Sequence, residues 1–355
     1  DTAVGISLIS STIITLNNTG TILGSIEDLD GRGLSLKTTS SITTLTNSGT
    51  ISGFSGDTAT GILLSKSSIT TLTNTGTISG SASGSSGIGL QLKTASIITL
   101  TNNGLISGSA DTSDVYGIYM YKSSINTLTN AGTISGLVTN GESGAGIYLT
   151  QSTITTLNNS GLINFISGGY DTPDSAALHL NDNSSIDTLI NSGTISAVQG
   201  DDDDYTLAGI QVVDESFINN LTNTGLISAA GSGDSNYAIF INDTSSIGTI
   251  TNSGTISASS DEDDDDAYAI FINDSSSVGT ITNSGTITAS AGEDDAYGIQ
   301  LDSTSSITTL TNSGTITASA GEDDAVGIYL DTTSTIATLN NTGTISVTAG
   351  IKEAT

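Results

Sequence analysis

Residues 41–51 read Ser41-Ile42-Thr43-Thr44-Leu45-Thr46-Asn47-Ser48-Gly49-Thr50-Ile51, and variants of this stretch recur along the whole chain. The pattern S-I-x-T-L-x-N-x-G-x-I is found at twelve places, its glycine running from Gly20 and Gly49 to Gly314 and Gly343 at intervals of 27 to 32 residues. Each of these glycines has an Asn two residues before it, from Asn18 to Asn341. A second motif, G/A-I-x-L, begins eight or nine residues before each motif Ile, as in Gly61-Ile62-Leu63-Leu64 and Gly327-Ile328-Tyr329-Leu330. The length variation is expected between the last Ile of one motif and the next G/A-I-x-L. Self-similarity at this period marks stacked architectures. The segments are too short and too β-branched for helices, and the alternation in G-I-x-L and G-T-I-S places Ile and Leu on one face.

These features predict an all-β chain: a single parallel β-helix, or β-solenoid, over residues 1–355, with about twelve coils of about 29 residues, each holding three short strands. Equivalent strands stacked at about 4.8 Å would merge the Ile and Leu of all coils into one core, in a rod about 55 Å long. The Asn-x-Gly step reads as a corner, with Gly supplying positive φ and Asn bonding to the next rung and to local backbone.

Composition narrows the partners. There are 36 acidic against six basic residues, a net charge of −30, no Cys and one Pro. Such a charge repels phosphate backbones and anionic headgroups, so nucleic acid is not an expected partner, while divalent cations are. The lack of Cys removes disulfides and thiolate metal sites. No apolar run reaches the roughly 18 residues needed to cross a bilayer as a helix, so this segment is not expected to insert into a membrane. It begins inside a strand pattern and reads as a processed or excised piece, either a whole solenoid or part of a longer repeat array.

The repeats quoted above resemble the passenger regions of bacterial type V autotransporters, and the likeness extends over nearly the whole chain. The resemblance implies export to the bacterial cell surface or extracellular space and a role in adhesion or surface architecture.

Function is then sought on the outside of the rod. Acidic runs crowd the variable loops: Asp201, Asp202, Asp203 and Asp204; Asp261, Asp263, Asp264, Asp265 and Asp266 around Glu262; Glu293, Asp294 and Asp295; Glu322, Asp323 and Asp324. Stacked carboxylates repel unless solvent, protonation or a cation intervenes, and hard oxygen donors suit Ca²⁺, which these residues are expected to bind unless they only form a solvated surface. A second acidic file, Asp182, Asp214, Asp243 and Asp274, follows G/A-I-x-L in four coils. Arg32, Lys37, Lys66, Lys93 and Lys122 all lie in the first part of the chain, a polarity suited to self-assembly head to tail into filaments.

If Ile and Leu of G/A-I-x-L point inward, the residue between them points out. That gives a file with Tyr119, Tyr148, Phe240, Phe271 and Tyr329, and with His179 as a further member. Exposed flat rings would stack on surface glycans or on a neighbouring rod, or support one another along the ladder. A third column is Thr-x-Thr, as in Thr44-Leu45-Thr46, interrupted at Asn17, Asn158, Ile190, Asn220 and Asn340. It resembles the ice-binding face of some β-helical antifreeze proteins, although Thr is also simply a good strand residue. After Lys122 no Lys or Arg occurs until Lys352, and no nucleophile elbow, phosphate loop or H-E-x-x-H is present, so an enzyme is not expected. The expected function is structural or adhesive, the alternative being a glycan- or ice-binding module.

Overall fold

The structure is a computed structural model, and it describes residues 2–140, 143–168, 175–201, 206–232, 235–260 and 265–350. Every described element is a strand, and the strands fall into three parallel sheets of twelve, each strand bonded to its counterparts one coil before and one coil after. Coil 1 consists of Thr2–Ile9, Thr12–Asn18 and Thr21–Ile26; coil 6 of Gly144–Thr150, Thr153–Asn159 and Leu162–Ser167; coil 12 of Ala325–Leu330, Thr335–Asn341 and Thr344–Ala349. The first strand of each coil is built on G/A-I-x-L, the second on S-I-x-T-L-x-N, the third on G-T-I-S. The parallel β-solenoid read from the repeat is therefore the fold.

Identical side chains stack on identical side chains. Ile69, Leu72 and Asn74 pair in register with Ile97, Leu100 and Asn102, and these with Ile125, Leu128 and Asn130. The inward residues of the three sheets, such as Leu34 and Leu36, Ile42 and Leu45, and Ile51, are completely buried and form one core along the rod. Each such side chain contributes about 1.5–3 kcal/mol by leaving water, and no coil could retain that burial alone.

The second corner is the Asn-x-Gly step, and its asparagines form an unbroken buried ladder. Asn47 Nδ2 donates to Asn74 Oδ1 at 2.8 Å, to Thr77 O at 2.9 Å and to its own Gly49 O at 3.2 Å, two amide hydrogens being shared among three acceptors. The same pattern runs from Asn18 to Asn312. The reason for the glycine differs from the expectation, because no described glycine has positive φ. A Cβ on Gly49 would lie 2.0 Å from Gly20 O, and one on Gly76 2.1 Å from Gly49 O. The column is glycine because successive coils approach backbone to backbone there.

Positive φ occurs instead at the first corner, between the first and second strands, and only non-glycine residues carry it. Lys66 (φ 51°) and Lys122 (φ 49°) hold it singly, whereas Asp182–Asn183, Asp214–Glu215, Asp243–Thr244 and Asp274–Ser275 hold it in pairs. This corner also varies in length by one residue: Leu64 to Ile69 is five positions, Leu180 to Ile186 six. Left-handed conformation costs about 1–2 kcal/mol per non-glycine residue, and the ladder holds it in place. Lys66 N donates to Lys93 O at 3.0 Å and Glu215 N to Asp243 O at 3.0 Å, so interstrand bonding continues round the bend. A buried serine file follows, in which Ser123 N donates to Ser152 Oγ (3.0 Å), Ser152 N to Ser184 Oγ (3.1 Å) and Ser184 N to Ser216 Oγ (3.0 Å).

The core changes character once. In the third strands, Gly24, Gly53, Gly80, Gly108 and Gly136 are in register through coils 1–5 and Ala197, Ala229, Ala258, Ala289 and Ala318 through coils 7–11. Between them sits Phe165, fully buried, paired with Gly136 on one side and Ala197 on the other.

Candidate functional site

The residue between Ile and Leu of G/A-I-x-L forms a continuous file on the outer face of the first sheet: Gln91, Tyr119, Tyr148, His179, Gln211, Phe240, Phe271, Gln300 and Tyr329 pair in register. The file is where the repeat predicts it, but it does not present open ring faces. His179 and Gln211 are buried, Tyr119, Tyr148, Phe240 and Phe271 are half-buried, and Tyr329 is exposed. The rings stack on one another along the rod instead, with Tyr119 to Tyr148 at 5.6 Å between centroids and 3° between planes, and Phe240 to Phe271 at 5.7 Å and 14°.

A second file, missed in the sequence reading, explains the burial. The residue just before G/A of the motif also faces outward, and it is Tyr116, Tyr237, Tyr268 and Tyr297 in coils 5, 9, 10 and 11. Tyr237 stacks on Tyr268 (4.8 Å) and Tyr268 on Tyr297 (5.2 Å), while Tyr116 packs on Tyr119 and Tyr148 at 5.1 and 5.2 Å. The signal that would have revealed this file is the repeated Tyr in Tyr116-Gly117-Ile118, Tyr237-Ala238-Ile239, Tyr268-Ala269-Ile270 and Tyr297-Gly298-Ile299.

The double ladder is interrupted. In coils 6, 7 and 8 the second file carries Ala145, Ala176 and Ala208, and in coils 7 and 8 the first carries His179 and Gln211. The result is a notch of about 430 Å³ on the outer face of the first sheet, with Tyr148 at one end and Phe240 at the other. His179, Asn181 and Gln211 line it, together with Asp114, Asp214, Asp243 and Asn242. Tyr148 and His179 form a T-shaped pair at 4.8 Å, and the Tyr148 hydroxyl accepts from Asn181 Nδ2 at 3.0 Å.

The acidic loops take part in the same architecture. Tyr268 Oη donates to Asp266 Oδ2 at 2.6 Å and Tyr297 Oη to Asp295 Oδ2 at 2.8 Å. The other oxygens bind the next coil, with Asp295 N donating to Asp266 Oδ1 at 3.1 Å and Asp324 N to Asp295 Oδ1 at 2.9 Å. Burial pushes the Tyr268 and Tyr297 hydroxyls well above the ordinary phenol value, and the bonded carboxylates push them further; burial followed by the Asp114 charge does the same for Tyr116. Asp266 and Asp295 thus accept hydrogen bonds both from tyrosines of their own coil and from the backbone of the next. Among the described residues no three acidic or histidine side chains converge as a metal site. Asp202, Asp203, Asp204, Asp261, Asp263 and Asp264 lie outside the described residues, as does the side chain of Asp201. Glu293, Asp294, Glu322 and Asp323 stay at the loop surface, where Glu322 N and Asp323 N each donate to Glu293 O at 2.9 Å.

The second acidic file lies at the first corner, where Asp182, Asp214, Asp243 and Asp274 all have positive φ and line an open groove with Asn183, Glu215, Thr244 and Ser275. The equivalent groove of coils 2–5 is lined by Lys66 and Lys122 among Ser and Thr. The same structural position thus reverses its charge along the rod.

The Thr columns are in register on the outer face of the second sheet. Thr44, Thr71, Thr99, Thr127, Thr156 and Thr188 form one file through coils 2–7, continued after Asn220 by Thr249, Thr280, Thr309 and Thr338. Among the described residues, none of these hydroxyls bonds another protein group. On the third sheet, by contrast, Thr317 donates to Thr288 at 2.9 Å and Ser228 to Ser196 at 3.0 Å.

The class is thereby defined: a tandem-coil parallel β-solenoid with three faces of different chemistry. No protein-family model, curated protein or solved structure matches the chain.

Proposed function

We propose that this solenoid is a stiff structural or adhesive rod, working outside the cell or on a bacterial surface as autotransporter passengers do, and that it is not an enzyme. The observation that carries the reading is the Asn ladder, which runs through all twelve coils without a break. A buried amide spine over a continuous apolar core gives length and stiffness at little sequence cost. The corner groove adds a means of self-association, because the lysines of coils 2–5 and the aspartates of coils 7–10 lie on one line along the rod. Two copies side by side and antiparallel would bring opposite charges together, a contact that salt should weaken.

Small-angle scattering tests the rod: a particle about 55 Å long per twelve coils is expected, and a rounded particle would refute it. Sedimentation at low and high salt tests self-association, and a monomer under all conditions removes it from the reading.

A second reading, ice binding, is favoured by the register of the Thr files and by their unpaired hydroxyls. Thermal hysteresis measures it directly. If freezing and melting points coincide at every protein concentration, the Thr face is only a good strand surface.

A further inference from the structure

The notch in the aromatic ladder stands out from the rest of the surface. In coils 5–6 and 9–12 the outer face of the first sheet carries rings in contact; between these two groups Ala145, Ala176 and Ala208 replace the tyrosines of one file in coils 6–8 and His179 and Gln211 replace the rings of the other in coils 7 and 8, where the notch lies. The cavity of about 430 Å³ falls within the range of small-ligand sites, roughly 300–1,000 Å³.

Its walls and lining have complementary chemistry. Because the rings stack along the rod, ring faces look along its axis, and Tyr148 and Phe240 close the notch from opposite ends, three coil steps or about 14 Å apart. Polar groups converge between them. Gln211 is 1 % exposed and its Oε1 has no hydrogen-bond partner, and Asn181 uses Nδ2 on Tyr148 while its Oδ1 has none. A hydroxyl donor from a ligand would give these acceptors the partner they lack. Carboxylates stand at both ends, Asp114, which accepts from Ser143 Oγ at 2.8 Å, and Asp214 with Asp243.

We propose that this notch binds one or two pyranose units of a glycan that is neutral or bears amino groups. Aromatic walls suit the C–H faces of a sugar ring, and amide and carboxylate oxygens suit its hydroxyls. The three carboxylates, with no lysine or arginine in the lining, exclude uronic and sialic acids. The inference deepens the adhesive reading by naming what the rod recognises, and it does not depend on the shape of the rod in solution. Scattering can confirm the rod while the notch binds nothing.

The test is calorimetric titration of the whole chain with neutral, N-acetylated and deacetylated amino-sugar tetrasaccharides and with an oligogalacturonate. Millimolar or tighter binding is expected for one of the first three and none for the last. Ala208→Tyr, which refills the ladder, and Tyr148→Ala, which removes one wall, should each weaken binding about tenfold or more. Circular dichroism and melting would verify that both variants fold, the two acting oppositely on packing. Tyr329→Ala, in the same file four coils beyond Gln211, should leave affinity unchanged. Saturation by none of the sugars, preference for the oligogalacturonate, or an affinity unchanged from that of the unsubstituted protein in Ala208→Tyr and Tyr148→Ala would each overturn the proposal.

Discussion

Coils 2–6 and coils 7–11 share one repeat, one Asn ladder and one sheet register, yet they are built differently at three places. The third strands carry Gly before Phe165 and Ala after it. The first corner holds a single left-handed residue in coils 3–6 and two in coils 7–11. The side chains at that corner change from Lys66 and Lys122 to Asp182, Asp214, Asp243 and Asp274. The Ile, Leu and Asn columns are held constant because every coil must pack on the next, whereas one buried file of the third sheet and the solvent-facing corner change together between halves. The notch lies directly after the change, in coils 7 and 8.

Phe165 is the place to break the comparison. It is the largest fully buried side chain, and a Cβ on Gly144 would come within 2.7 Å of its ring. Phe165→Ala should cost about 3–5 kcal/mol, and hydrogen exchange should show protection lost first in coils 5–7, with the two halves no longer melting together. Uniform loss along the rod would mean that the junction is not a boundary.

The ladder should treat both halves alike. Asn130→Ala and Asn252→Ala each leave neighbouring amides without a partner and should each cost about 1–3 kcal/mol in denaturant unfolding. Unequal losses would show that the spine also differs between halves.

Alkaline pH should act on both halves, on Tyr116 in the first and on Tyr268 and Tyr297 in the second, and only the latter two are bonded to stacked aspartates. A tyrosine whose pKa is raised on folding contributes stability that is fully present below about 10, the unfolded value, and is lost as pH rises towards the folded value. Tyr268 and Tyr297 are both of this kind, both in the second half, and both bonded to aspartates. The melting temperature should fall above about pH 10, and Tyr268→Phe should blunt the fall. An identical alkaline slope in the variant would count against the Asp266 contact.

The smallest effect belongs to the corner. Lys66→Gly relieves a left-handed residue worth about 1–2 kcal/mol at an entropic cost of about 0.5–1 kcal/mol, a net gain of between zero and about 1.5 kcal/mol. Asp214→Gly should gain less, because Asp tolerates that conformation better. Melting of the two variants gives the order, and a larger gain for Asp214→Gly would reverse the assignment of strain.

Much of the fold was legible because the repeat is written in residue types with narrow uses. Ile42, Leu45, Asn47 and Gly49 specify an inward pair, a rung and a close backbone approach, and their period specifies stacking. The aromatic file was legible too, since alternation in a strand decides facing. The bonding of Asp266 and Asp295 to Tyr268 and Tyr297 was not, because the partners lie on the same outer face and their contact depends on side-chain direction rather than on period.

By itself the sequence determined the three-strand coil, the stacking of the Asn, Ile and Leu columns and the continuous core, because each depends only on alternation and on a repeated motif. The tertiary structure alone decided that the glycine column serves axial contact and not positive φ, that Lys and Asp carry the left-handed corner, that the rings face one another, and that a notch lies where the aromatic ladder breaks. Each of these depends on distances between coils, which the sequence of a single coil does not contain.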